Sequence, residues 1–322
     1  MKNNPIIIVN GEPNSIFLEI LFKSLKSKSY KSPIILISSL KLFNFYMKRF
    51  NFKKRINIIN YENLSNVNLS IKDINFINVK VNLNNNFKKI TNKSNTFIKN
   101  SFEIGLKVMK TLKSTKFING PIDKKYFLNK KYFGITEYIA KSTNAKNFAM
   151  LIYNKKLSVC PLTTHVPIKK VAKYISQKNI KEKTKLINNF YIKYRKIKPR
   201  IGVLGLNPHC ESTHKYNEDD KILKPAIKSL RKSGYRISGP YSADTMFLKK
   251  NRIKFDVIIG MYHDQVLTPI KTLFEYDAIN ITLGLSFIRI SPDHGPNEKM
   301  IGKNSSNPQS LIKALTFLDK QK

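Results

Sequence analysis

The sequence predicts an α/β protein of two lobes. Two observations carry that expectation. Short apolar runs alternate with longer segments of helical period along the chain. The chain also has 322 residues, and a single hydrophobic core rarely grows past roughly 250–300 residues.

The elements follow in order. Apolar runs at 6–9, 34–38, 56–60, 74–79 and 117–119 read as the first strands. Those at 148–153, 157–160, 201–206, 257–261, 279–283 and 287–290 read as the rest. Ile98, Phe102, Gly105, Met109 and Leu112 recur at steps of four and three, so one stripe of a helix is apolar. Segments 166–176 and 181–197 read as a helix pair. A helix over 222–233 follows Glu218-Asp219-Asp220, acidic residues that suit the positive end of a helix dipole. A last helix covers 311–318, and the Asn/Lys-rich stretch 82–95 reads as a polar loop.

Charge is the loudest feature of the composition. Lys and Arg number 59 against 20 Asp and Glu, a net +39. Nucleic acid is the usual partner of such a balance. Here the lysines are spread along the whole chain, Asn, Ile, Phe and Tyr are abundant too, Gly is only 12 and Trp is absent. That is the bias of AT-rich codons, and it argues against a nucleic-acid partner. The diffuse charge still attracts small anions such as phosphate esters. No apolar run approaches the roughly 20 residues of a membrane helix. The run Pro5-Ile6-Ile7-Ile8-Val9 is too short for a signal peptide. A cytoplasmic protein without a membrane partner is expected. Cys160 and Cys210 form no CxxC pair and read as buried or incidental thiols.

The five histidines are His165, His209, His214, His263 and His294. Three of them follow strand ends, in Thr163-Thr164-His165, Asn207-Pro208-His209 and Tyr262-His263-Asp264-Gln265. Ligands of open α/β sheets bind beyond the carboxyl ends of strands. Neutral imidazole is a common ligand of divalent metals, and three leave positions open for substrate. There is no HxxxH or HExxH element, so such ligands converge only through the fold or across a subunit interface. Gly11-Glu12-Pro13-Asn14-Ser15 follows the first strand without a GxGxxG pattern, so a bound nucleotide is not held in the Rossmann manner.

Taken together, several ordered motifs carry a resemblance. The upstream ones are Gly11-Glu12-Pro13, Gly120-Pro121, Gly134 with Thr136-Glu137, and Thr163-Thr164-His165. Then come Gly205-Leu206-Asn207-Pro208-His209, Ala243-Asp244-Thr245, Met261-Tyr262-His263-Asp264-Gln265, Asn280 to Leu285 with Phe287-Ile288-Arg289, and Asp293-His294-Gly295. In order and spacing the chain resembles the 4-hydroxythreonine-4-phosphate dehydrogenase family of vitamin B6 biosynthesis, over essentially its whole length. The resemblance implies the two-lobed isocitrate/isopropylmalate dehydrogenase-like fold, with the active-site cleft between lobes. It divides the chain into 1–120 plus 285–322 and 121–284, the second lobe carrying the metal histidines and the dimer interface. It also implies a homodimer with shared active sites, NAD or NADP as cofactor, and one divalent ion per site, zinc, magnesium or cobalt. The implied metal ligands are His165, His209 and His263. The implied substrate contacts are Thr136, Lys271, Asn280 and Arg289. Asp264 is expected to orient His263 or relay a proton, and Asp244 and His294 to support the site or its cofactor side. His214 matches no ligand position.

Three departures stand out. Where the family has His before the Thr, this chain has Ile135, which can neither donate nor accept a side-chain hydrogen bond. Losing such a contact costs roughly 1.5–3 kcal/mol if nothing replaces it. The glycine-rich turn after Pro13 becomes Asn14-Ser15-Ile16-Phe17, and the loop after His209 becomes Cys210-Glu211-Ser212-Thr213. Three other readings stay open: a dehydrogenase of another 4-phosphorylated hydroxy acid, such as threonate or erythronate phosphate; a decayed enzyme; and a basic nucleic-acid-binding protein on the same fold.

Overall fold

The run Ile6-Ile7-Ile8-Val9 lacks the polar alternation that a strand with one wet face requires. All four residues are fully buried, as in a parallel strand covered on both faces. The computed structural model describes residues 4–64, 67–81, 90–123, 126–127, 134–211 and 216–321. The eleven apolar runs and one strand not expected from them, β9, give β1 (Ile6–Val9), β2 (Ile34–Ser38), β3 (Ile56–Ile58), β4 (Ile74–Asn78), β5 (Lys116–Asn119), β6 (Ala149–Tyr153), β7 (Ser158–Pro161), β8 (Ile201–Leu204), β9 (Ile237–Tyr241), β10 (Val257–Gly260), β11 (Ile279–Leu283) and β12 (Ile288–Pro292). Between them lie α1 (Phe17–Ser27), α2 (Leu40–Arg49), α3 (Asn95–Thr111), α4 (Ile135–Ser142), α5 (Val171–Tyr174), α6 (Gln177–Phe190), α7 (Lys224–Lys232), α8 (Ala243–Met246), α9 (Lys249–Arg252), α10 (His263–Phe274) and α11 (Gln309–Asp319).

Two compact units result. Unit 1 comprises Met1–Ile139 and Ser286–Lys322, and unit 2 comprises Ala140–Leu285. The first crossing falls at Ile139, not after Gly120, because the start of α4 belongs to unit 1. There Tyr138 packs edge-on against Phe102, and Thr136 bonds to Arg289. Unit 1 orders its strands β3-β4-β2-β1-β5-β12, all parallel. Unit 2 orders them β11-β6-β7-β10-β8-β9. There β6 runs antiparallel to both β11 and β7, while β7, β10, β8 and β9 are mutually parallel.

Local chemistry explains where the elements differ from expectation. β9 contains Gly239 and Pro240, which depress a strand reading, yet it ends the order of unit 2, where proline is tolerated. The helix expected from 181 starts at Gln177, because the Ser176 hydroxyl accepts a hydrogen bond from Asn179 N at 3.2 Å. The helix expected over 166–176 shrinks to α5. α1, α2, α4 and α10 add to the helices that periodicity predicts. Of the expected loop 82–95, residues 82–89 lie outside the described residues, and Asn92–Ser94 form a helical turn leading into α3. Both cysteines are free and buried, and burial pushes the Cys160 thiol up to about 11.

The α3 stripe buries Ile98, Phe102, Gly105 and Met109 as expected, while Leu112 sits half-buried at the helix end. Gly105 lets α3 lie close to the sheet: a Cβ there would meet Val9 Cγ2 at 2.7 Å and Phe117 Cε2 at 3.2 Å. Helix propensity favours Ala over Gly by about 1 kcal/mol, but overpacking a core costs about 1–3 kcal/mol. Gly105→Ala is therefore expected to lower the unfolding free energy, by about 1 kcal/mol, in urea titration.

Candidate active site

In unit 2, β7, β10 and β8 are adjacent and parallel. Their carboxyl ends therefore share one edge of the sheet, and His165, His263 and His209 follow them there. Thr163 joins the first turn to the last: its backbone N and its Oγ1 both donate to Met261 O, at 3.2 and 2.8 Å. The His165 and His263 rings lie 6.1 Å apart between centroids, their planes 34° from parallel. His263 Nδ1 stands 2.7 Å from Asp264 Oδ1. A carboxylate only accepts, so Nδ1 carries the proton of this bond, and in the neutral ring the lone pair then lies on Nε2. Asp264 itself is mostly exposed, so it orients the ring more than it stabilises the fold.

His209 sits in a strained turn. It and Cys210 have φ of 56° and 63°, two successive non-glycine residues in the left-handed region. Asp219, fully buried, holds the approach to that turn. Its Oδ1 accepts from Leu206 N at 2.9 Å, and its Oδ2 accepts from Asn207 N at 3.1 Å and Asn207 Nδ2 at 2.8 Å. The His209 side chain is exposed. Asp244, on α8, is held below the usual carboxylate range by the Ser242 hydroxyl, with a smaller electrostatic contribution from His209.

Among the described residues, no three His, Cys, Asp or Glu side chains come close enough to hold a metal ion. Neutral imidazoles are suitable donors for a divalent cation, and His165 and His263 are close enough to supply two of them. The chain thus brings two of the three expected ligands together, and His209 does not complete the group. His214 and residues 212–213 lie outside the described residues. Lys271 is half-buried on α10, where burial lowers its ammonium pKa. Asn280 is half-buried on β11.

Unit 1 buries a guanidinium. Arg289 on β12 is 0 % exposed. Its Nε donates to Asn119 Oδ1 at 2.7 Å and its Nη1 to Thr136 Oγ1 at 3.2 Å. Burial pushes its pKa down to about 9, against the attraction of Glu137. A cation placed among neutral acceptors remains a strong receptor for an anion. Thr136 is buried and Ile135 half-buried at the start of α4. His294 Nδ1 donates to Gly295 O at 3.1 Å, its ring lies 6.2 Å from that of Phe17, and burial lowers its pKa. Asn119 is a residue that sequence reasoning did not single out; its one signal is that it directly precedes Gly120-Pro121.

Glu12 stands in the Gly11-Glu12-Pro13 motif, but the sequence assigned it no role. It is fully buried at the end of β1. Its Oε1 accepts from Asn14 N at 3.1 Å, and its Oε2 lies 2.9 Å from Ser94 Oγ. Ser94 Oγ also lies 2.8 Å from Thr91 O. One hydroxyl proton cannot serve both oxygens, and the carbonyl can only accept. The set closes when a protonated Glu12 donates to Ser94 and Ser94 donates to Thr91. Burial, reinforced by Asp123 and Glu298, raises the Glu12 pKa to about 7.

Histidines that follow the ends of adjacent parallel strands are the arrangement of an α/β enzyme that works beyond its strand ends. The chain belongs to the family described as Pyridoxal phosphate biosynthetic protein PdxA, whose model matches residues 29–318, and it is a dehydrogenase. It is 36% identical over 321 residues to the 4-hydroxythreonine-4-phosphate dehydrogenase of Sulfurihydrogenibium sp., covering 96% of each chain. It is 38% identical over 165 residues to the D-threonate 4-phosphate dehydrogenase of Salmonella typhimurium, covering 51% of this chain and 50% of that one. Among solved structures, a putative 4-hydroxythreonine-4-phosphate dehydrogenase from Salmonella typhimurium matches with a TM-score of 0.83 at 26% identity, covering 98% of this chain and 99% of that one.

The state of Glu12 sets a pH dependence. Its folded pKa lies above the ordinary 4.5, so its contribution is complete below that value and is lost as the pH rises through about 7. Urea unfolding across this range is expected to show Glu12→Gln gaining on the parent by about 2–3 kcal/mol. Parallel curves for the two proteins would rule the protonated state out.

Proposed function

We propose that the chain is a metal-dependent, NAD(P)-linked 4-hydroxythreonine-4-phosphate dehydrogenase. It oxidises 4-phosphooxy-L-threonine to 2-amino-3-oxo-4-phosphooxybutanoate, which decarboxylates to 3-amino-2-oxopropyl phosphate, in pyridoxal phosphate biosynthesis. The observation that carries the reading is the placement of three imidazoles at adjacent parallel strand ends in a chain of this family.

His165, His209 and His263 are the proposed metal ligands. A divalent ion held there, zinc, cobalt or magnesium, would supply Lewis acidity toward a substrate hydroxyl, and NAD or NADP would supply the hydride acceptor. Asp264 keeps the His263 Nε2 lone pair available by holding Nδ1–H. Arg289 and Lys271 receive the anionic ends of the substrate, and Thr136 and Asn280 offer a hydroxyl and an amide to its polar groups. Asp244 steadies the His209 side, and His294 serves the cofactor side.

Because one chain groups only two of the ligands, we assign the working unit to a homodimer in which a second copy completes the set. Ile168, Tyr174, Leu248 and Ile253 of unit 2, each at least half exposed, suit an apolar interface. No described helix is long and apolar enough to cross a membrane, and the proposed place of action is the cytoplasm.

Ile135 supports a second reading within the same chemistry. An apolar side chain beside Thr136 removes one polar contact, and some relatives are named for D-threonate 4-phosphate. Turnover of 4-phosphooxy-L-threonine and D-threonate 4-phosphate, measured side by side with each cofactor and each metal, separates the two. The first substrate is expected to give the higher kcat/KM. His209→Ala is expected to lose bound metal and to lose more activity than the roughly 10–100-fold that supporting residues cost. Full metal content and turnover in that variant would exclude the metal assignment.

A further inference from the structure

We infer that Gln265 is a positioning residue whose side-chain amide locks the His209 turn to the His263 turn. The inference rests on the proposed metal role of the histidines. Gln265 stands two residues after His263, half-buried in the first turn of α10. Its Oε1 accepts from Met261 N at 2.6 Å, and its Nε2 donates to Gly205 O at 2.8 Å. The partners settle which way the amide points. A backbone N–H only donates and a carbonyl only accepts, so a flipped amide would lose both bonds.

The place of this bridge matters. The β10–β8 ladder runs from Val257↔Ile201 to Ile259↔Val203 and stops. Met261 and Gly205 lie two residues beyond that last pair, where the two chains part toward their histidines. Gln265 occupies the gap and joins them side chain to backbone. Gly260 makes the approach possible, because a Cβ there would meet Val266 Cγ1 at 2.4 Å and Gln265 Oε1 at 3.0 Å. Thr163 takes the Met261 carbonyl from the other side. The backbone of Met261 is thus the shared anchor of all three histidine turns, and Gln265 is the link that reaches His209. A turn already strained at His209 and Cys210 needs such a link to hold its imidazole in one place.

Two variants of the full chain test this. Gln265→Glu keeps the acceptor for Met261 N but sets an oxygen against Gly205 O. Gln265→Met keeps the volume and loses both bonds. Co2+ alone is titrated into each, followed by visible absorption, with melting of the metal-free proteins in parallel. Both variants are expected to bind Co2+ about 10–100-fold more weakly than the parent, with an altered absorption band at saturation. In a His209→Ala background, where residual binding falls to His165 and His263, neither should weaken binding further. Parent-like Co2+ affinity in both variants overturns the proposal while leaving the histidine reading intact. An equal further loss in the His209→Ala background also overturns it, since the effect would then be a general loosening of the fold. A parent protein that binds no Co2+ overturns the histidine reading and this proposal together.

Discussion

Buried backbone polar groups must find partners, and at Met261 meeting that requirement joins the three histidine turns. The residue is fully buried just past the end of β10, beyond the last pair of the β10–β8 ladder. Leaving its N–H or its C=O unpaired would cost about 1–3 kcal/mol. Thr163 and Gln265 satisfy them. Each of these side chains belongs to a segment that carries a histidine or leads to one. A local debt in hydrogen bonding thus becomes the device that ties three strand ends together. Asp219 performs the same service for the approach to the His209 turn, from full burial.

Unit 1 uses burial differently. Arg289, Lys116 and Glu12 are all withdrawn from water, where an isolated charge is costly. Each lowers that cost in its own way. Arg289 spreads its charge over Asn119 and Thr136 with Glu137 nearby. Lys116 donates to the Ser32 hydroxyl at 3.0 Å, and burial lowers its pKa. Glu12 holds its proton near neutrality. Arg289 is the one of the three that the family resemblance proposes as a receptor for the substrate's anionic end.

The net charge of +39 contributes little to this architecture. Ion pairs such as Lys99–Glu103 and Lys224–Asp220 lie on exposed helix faces, where solvent screening leaves such pairs little to contribute. The more consequential pair is Arg200–Asp256, part-buried, with Arg200 N and Nε also bonding to the same carboxylate. The diffuse excess of lysine bears on how anions approach the protein, not on how the chain folds.

The strands, the α3 stripe and the three histidines at strand ends were legible from the residues alone, because periodicity and turn chemistry act over a few neighbours. Ordered motifs were enough to place the chain in its family. Which of those residues meet was not legible. Asn119 and Arg289 lie 170 residues apart, Thr136 and Arg289 153, Glu12 and Ser94 82, and Gln265 and Gly205 60. Such contacts depend on strand order and register, which no local pattern encodes. The same holds for β9, whose Gly-Pro pair conceals a strand until an edge is available to it. It holds also for the pairing of His165 with His263, which follows from β7 lying directly beside β10 in the sheet.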